Sequence, residues 1–237
     1  MLFNPAYLIF MTPAFLLMMI TSWYVRSAYQ KWSRVPARSG LTGEQAAQRL
    51  IARGGLYGVQ VQGVGGNLTD NYDPRTRILH LSQGVAVNAS VASLAIAAHE
   101  LGHAQQDAEG YFPLRFRAAL VPMVNVGSYL GWILVMLGLF LNYAGMALGT
   151  NVAWLGVVIF ASGAVFALAT LPVELNASAR ARQLLTDTGI ISGPDEERGV
   201  STVLNAAALT YVAALVTALL QLLYYASLVF GLGRRRR

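Results

Sequence analysis

A chain of 237 residues in which 55% are hydrophobic and 12% charged has about half the charge of an ordinary soluble domain, so much of it belongs in lipid. The net charge of +6 admits nucleic acid as a partner. Four of the arginines, however, form the terminal run Arg234 to Arg237, and others flank apolar stretches where they would meet lipid headgroups. The basicity is therefore read as membrane anchoring, with the lipid bilayer as partner and no nucleic acid. The absence of cysteine excludes disulfides, thiolate nucleophiles and cysteine-held zinc, so any metal must be held by histidine and carboxylates.

In chain order, Pro5 to Tyr24 is apolar and uncharged and is followed by Arg26, Lys31 and Arg34. It lacks the basic start and small-residue cleavage site of a signal peptide, so residues 1–25 read as a retained transmembrane helix. Residues 26–117 are ordinary in composition and form an extramembrane domain. Thr42 and Gln45 make a capping box ahead of an amphipathic helix ending near Gly54-Gly55. Tyr57 to Val64 and Arg77 to Ser82 alternate as strands do, with turn formers from Asn67 to Pro74 between them, a pattern for a hairpin or short sheet. Ser90 caps a helix that runs to about Glu109 and stops at Gly110 and Pro113.

No Asp, Glu, Lys or Arg occurs from Ala118 to Val173. The polar, Gly-bearing patch from Asn142 to Asn151 divides residues 118–173 into two transmembrane helices joined by a short loop, and Pro122 predicts a bend near the start of the first. Residues 174–200 are polar again: Glu174 opens a helix start, and Gly193-Pro194 followed by Asp195 to Glu197 signals another. Residues 201–237 form a C-terminal transmembrane helix with its basic tail. The expected fold is mainly α and integral to the membrane, with about four transmembrane helices and a small α+β extramembrane domain, zincin-like in carrying the H-E-x-x-H pattern His99-Glu-Leu-Gly-His103 on its last helix. Lys and Arg near the membrane ends favour an active domain on the cytoplasmic side of a bacterial-type plasma membrane, with Arg234 to Arg237 counting against that orientation.

Chemistry concentrates at His99-Glu-Leu-Gly-His103, the H-E-x-x-H pattern in which two histidines one turn apart on a helix reach a single zinc ion. Glu100 can then act as general base, taking a proton from water that the metal has acidified and delivering it to the leaving amine. A catalytic zinc usually has a third protein ligand. His80 lies in a strand and is a poor candidate. Glu109 stands at the metzincin offset, but Gln106 occupies the place where those enzymes break the helix with Gly. Glu174, ionisable and immediately after an apolar span, is the stronger candidate; the alternative is a surface carboxylate paired with Arg180 or Arg182. Asp107, one turn after His103, could orient a ligand, against the simpler reading of a solvated face, and Tyr72, Asn205 or Tyr211 could donate to a developing oxyanion, against turn packing for Tyr72 and helix packing for the other two. The strand from Arg77 to Ser82 stands where a zincin edge strand binds extended substrate.

Beyond this motif, Ser39-Gly-Leu-Thr-Gly43, Asn71-Tyr-Asp-Pro-Arg75, Leu79-His-Leu-Ser82, Gly110-Tyr-Phe-Pro-Leu114, Leu171-Pro-Val-Glu-Leu-Asn-Ala-Ser178 and Val203-Leu-Asn-Ala-Ala-Ala-Leu-Thr-Tyr-Val212 span nearly the whole chain. With them the sequence resembles the YugP-like family of membrane zinc metallopeptidases, also grouped as neutral zinc metallopeptidases. The resemblance implies an integral membrane peptidase with one zinc ion and a distant likeness to gluzincin membrane peptidases, in which the third ligand is a Glu on a later helix, the position of Glu174 here. In that pattern an Asp commonly follows four residues on; Ser178 stands in its place and is a candidate second-layer residue.

The function expected is a zinc-dependent endopeptidase acting on membrane-associated or unfolded polypeptides. The alternative is a non-hydrolytic zinc-binding membrane adaptor or regulator, disfavoured by Glu100 because structural zinc needs no base. A metal transporter would need ionisable residues in its spans, and residues 118–173 have none.

Overall fold

The computed structural model describes residues 5–234, and the last three arginines of the basic tail, Arg235 to Arg237, lie outside them. The chain is mainly helical. It opens with α1 (Pro5–Trp32), followed by α2 (Gly43–Arg53), β1 (Gln60–Val64), β2 (Asn71–Asp73), β3 (Ile78–Ser82), the single turn α3 (Gln83–Ala86) and α4 (Val91–Ala108). Four more helices complete it: α5 (Phe112–Tyr143), α6 (Leu148–Phe160), α7 (Ser162–Asp187) and α8 (Pro194–Arg234).

Among the described residues, four stretches are long and apolar enough to cross a membrane: Pro5–Trp32, Phe112–Tyr143, Leu148–Asp187 and Pro194–Gly231. Helix α1 continues past the apolar segment through Arg26 to Trp32, because leaving the apolar zone gives a helix no reason to stop when no Gly or Pro intervenes. Pro122 sits inside α5, which continues through it. The expected break between the two later spans falls at residues 144–147, and Asn142 spans it by donating from Nδ2 to Thr150 Oγ1 at 2.9 Å.

The chain forms two compact units, one of residues 1–20, 115–171 and 211–237, the other of residues 21–114 and 172–210. In the first, glycines allow close helix packing: a Cβ on Gly131 would lie 2.6 Å from the Phe160 nitrogen, and one on Gly138 would run into the Ala153 backbone. Edge-to-face aromatic pairs, Tyr7 with Tyr224 and Phe160 with Tyr225, add to a core around Val135, Val157 and Val229.

The second unit holds the sheet. Its core gathers Leu50, Leu79, Leu81, Val91, Leu94, Leu101, Leu185 and Leu204, all fully buried or nearly so. Helix α2 starts on the expected box: Thr42 Oγ1 accepts from the Gln45 N–H at 3.2 Å, and Gln45 Oε1 accepts from the Thr42 N–H at 3.1 Å. The sheet order is β1-β3-β2, with β1 and β3 parallel and β2 antiparallel to β3. The two longer strands therefore do not form a hairpin. Parallel partners need a crossover of about a dozen residues; residues 65–77 supply it, and β2 forms inside that turn-rich stretch. β3 is consequently the central strand rather than an edge, and the edge strands are β1 and β2.

Candidate metal centre

The site lies wholly within the second unit. Ser90 Oγ caps α4 by accepting the Ser93 N–H at 3.2 Å, and the Ala-rich helix that follows is buried over most of its length. On it His99 and His103, one turn apart, turn their rings edge to face with centroids 5.0 Å apart. Gly102 lies between them, and a Cβ there would come 2.5 Å from the Ala177 carbonyl oxygen on α7. The absence of a side chain at 102 is what lets α4 and α7 approach so closely. Glu174, one turn before Ala177, is thereby brought onto the histidines.

Glu174 is only 3% exposed. Its Oε2 lies 3.3 Å from His99 Nε2 and 3.5 Å from His103 Nε2, and one donor atom from each of the three residues lies within 4.8 Å of the other two. A buried carboxylate facing two imidazole nitrogens is a donor set that fits zinc, which takes His and carboxylate in tetrahedral sites. Glu174 is not near a helix start, as the polarity change at 174 suggested. It lies in the interior of α7, which runs unbroken through Pro172. Nor is it a surface partner of the nearby arginines: Arg180 makes a two-pronged pair with Glu109, both contacts 2.7 Å, and Arg182 donates to Asn205 Oδ1 at 3.2 Å.

Glu100 stands outside the ligand triad. One of its oxygens accepts the backbone N–H of Tyr72, on edge strand β2, at 3.1 Å. Tyr72 also donates its hydroxyl to Asp107 Oδ2 at 3.0 Å; burial first, and then this carboxylate, push the phenol pKa upward. Both Tyr72 donors are thus engaged, and Asp107, offered by the sequence as a residue that could orient a metal ligand, accepts from Tyr72. Asn205 is exposed and held by Arg182, and Tyr211 belongs to the other unit. His80, on β3, is not part of the triad.

The second nitrogen of each histidine is also occupied. Ser178 Oγ lies 3.2 Å from His99 Nδ1. Gln106 Oε1 lies 3.0 Å from His103 Nδ1, and its amide nitrogen donates to the Val173 carbonyl at 2.8 Å and to Asn176 Oδ1 at 2.9 Å. Gln106 and Asn176 were missed as site residues. The available signal was Gln106 three residues after His103, on the same face of a buried helix. Burial on its own lowers the His103 pKa, but the Glu174 hydrogen bond and the charges of Glu100 and Glu174 outweigh it and hold the imidazole above its ordinary value.

Fold and site together define a class: a helical protein with four membrane-length helices and a candidate centre of two histidines and one glutamate. The chain belongs to the family described as "Putative neutral zinc metallopeptidase", which it matches over residues 7–230. It is 43% identical over 211 residues to "Putative membrane protease YugP" of Bacillus subtilis (strain 168), an alignment covering 89% of this chain and 90% of that relative. No solved structure matches it.

Proposed function

We propose that the protein is a membrane-embedded zinc endopeptidase in which His99, His103 and Glu174 hold one zinc ion and Glu100 is the general base. The observation that carries this reading is the convergence of His99 Nε2 and His103 Nε2 on the buried Glu174 Oε2, with a further carboxylate, Glu100, beside the triad and outside it. Zinc held there would supply Lewis acidity, lowering the pKa of a water toward about 7 and polarising the carbonyl under attack. The Tyr72 N–H fixes one oxygen of Glu100, so that carboxylate is aimed without being consumed as a ligand. It takes the proton of the attacking water as the new C–O bond forms and the carbonyl π bond opens, then passes that proton to the amine nitrogen as the carbonyl re-forms and the peptide C–N bond breaks.

The four membrane-length helices support a bilayer as the protein's surroundings. Ile9, Phe15, Val126, Phe140, Val158 and Leu168 are each largely exposed, a surface suited to lipid rather than water. The substrates proposed are membrane-associated or unfolded polypeptides, with the site on the cytoplasmic side as the Lys and Arg distribution favours.

Zinc content and casein cleavage, measured on detergent-purified parent, Glu100→Gln and Glu174→Ala proteins, test the reading. The expected result is that Glu100→Gln keeps zinc and loses cleavage while Glu174→Ala loses both. A parent that binds zinc and cleaves no more than Glu100→Gln would give the adaptor reading the lead. A reporter fused after Arg237 tests the orientation.

A further inference from the structure

We propose that Gln106 is the positioning residue of this centre: it keeps a proton on His103 Nδ1, so that Nε2 is the nitrogen left to bind metal. The purpose of that arrangement rests on the zinc reading above, but the proton assignment follows from donor and acceptor accounting alone. Gln106 is fully buried. Its amide nitrogen sits 2.8 Å from the Val173 carbonyl, a group that can only accept, so the amide cannot be turned around without setting oxygen against oxygen. Its other amide neighbour, Asn176 Oδ1, is fixed as an acceptor by Arg180, whose Nε can only donate and does so at 2.7 Å. Arg180 is itself held by its two-pronged pair with Glu109.

With both amide hydrogens spent, Gln106 offers His103 only the oxygen Oε1. At 3.0 Å, that oxygen requires a hydrogen on Nδ1. The nitrogen left with a free lone pair for a metal is then Nε2, the atom that faces Glu174. His99 has no equivalent device. Its Nδ1 meets the Ser178 hydroxyl, which can donate or accept and so dictates neither tautomer. The two ligands are therefore held differently: His103 by a chain of unambiguous donors reaching Glu109, His99 by a rotatable hydroxyl.

The test is nitrogen-15 NMR of histidine-labelled protein in detergent at neutral pH, with and without zinc, alongside zinc affinity. In the metal-free parent, His103 is expected to show a slowly exchanging Nδ1–H that persists when zinc is added. Gln106→Met, which offers no comparable acceptor, should lose that protection and bind zinc about 10–100-fold more weakly. Gln106→Glu, which keeps an acceptor oxygen, should restore the protected Nδ1–H and at least about tenfold of the lost affinity. A parent His103 protonated only on Nε2, or a Gln106→Met protein that keeps both the protected Nδ1–H and the parent affinity, overturns the proposal. If Gln106→Met does not fold, the parent spectrum and Gln106→Glu decide it: loss of the protected Nδ1–H in a folded Gln106→Glu protein counts against the proposal. A parent that shows the protected Nδ1–H but binds no zinc defeats the zinc reading while leaving the positioning of His103 intact.

Discussion

The two compact units use close packing for different ends. In the unit of residues 1–20, 115–171 and 211–237, Gly131 and Gly138 let helices meet and the contact surfaces are apolar. In the other, Gly102 achieves an equally close approach of α4 and α7, but the approach brings His99, His103 and Glu174 together and sets a hydrogen-bonded chain from Gln106 to Glu109 behind them. The first kind of contact gains packing alone. The second couples packing to chemistry, because buried charge is tolerated only when its partners are in place.

The largest test of that coupling is Glu174→Ala. Losing a ligand should cost more zinc affinity than the 10–100-fold typical of losing an outer hydrogen-bond partner, read by metal analysis after dialysis against a competing chelator. Next comes Glu100→Gln. Cleavage should fall by roughly 10²–10⁴-fold, the usual contribution of a general base, with zinc content unchanged.

Matched glycine substitutions separate the units. Gly102→Ala and Gly138→Ala should each cost about 1–3 kcal/mol through overpacking, read by denaturant unfolding in detergent. Only Gly102→Ala should also lower zinc bound per folded molecule; equal zinc loss in both would erase the contrast.

A smaller effect should appear with pH. The raised His103 pKa means that the metal-free protein gains stability from a protonated imidazole below the ordinary value of about 6.5, and loses that gain as pH rises through the raised value. Zinc needs the imidazole neutral. The rise in Tm that zinc produces should therefore grow as pH rises through and beyond the ordinary value of about 6.5, and a shift independent of pH would contradict it. The smallest expected effect is that of Glu109→Gln. Its pair with Arg180 is partly exposed, so stability should drop by no more than about 1 kcal/mol, measured in the same unfolding assay.

Sequence and structure agree where the physics is local. The Thr42 and Gln45 box, the Ser90 cap and the membrane-length helices follow from residue type and spacing within one or two turns. The sheet did not follow in the same way. Alternation marks a strand but carries no information on its neighbour, so the parallel pairing of β1 with β3 and the central place of β3 were invisible. At the site, His99 and His103 were legible because four residues on a helix put them on one face. Gln106 was overlooked because its partners lie 67 and 70 residues away, at Val173 and Asn176.

By itself the sequence determined the apolar lengths, the helix caps and a histidine pair with a glutamate beside it, all products of spacing along one helix or one run. Only the tertiary structure decided that Glu174 belongs with that pair, that Tyr72 holds Glu100 and that Arg180 answers to Glu109. The Glu174 and Arg180 relations depend on how closely α4 and α7 approach, a distance set by the space at Gly102 against Ala177, and Tyr72 reaches Glu100 from strand β2; these are contacts between segments far apart in the chain that no local rule encodes.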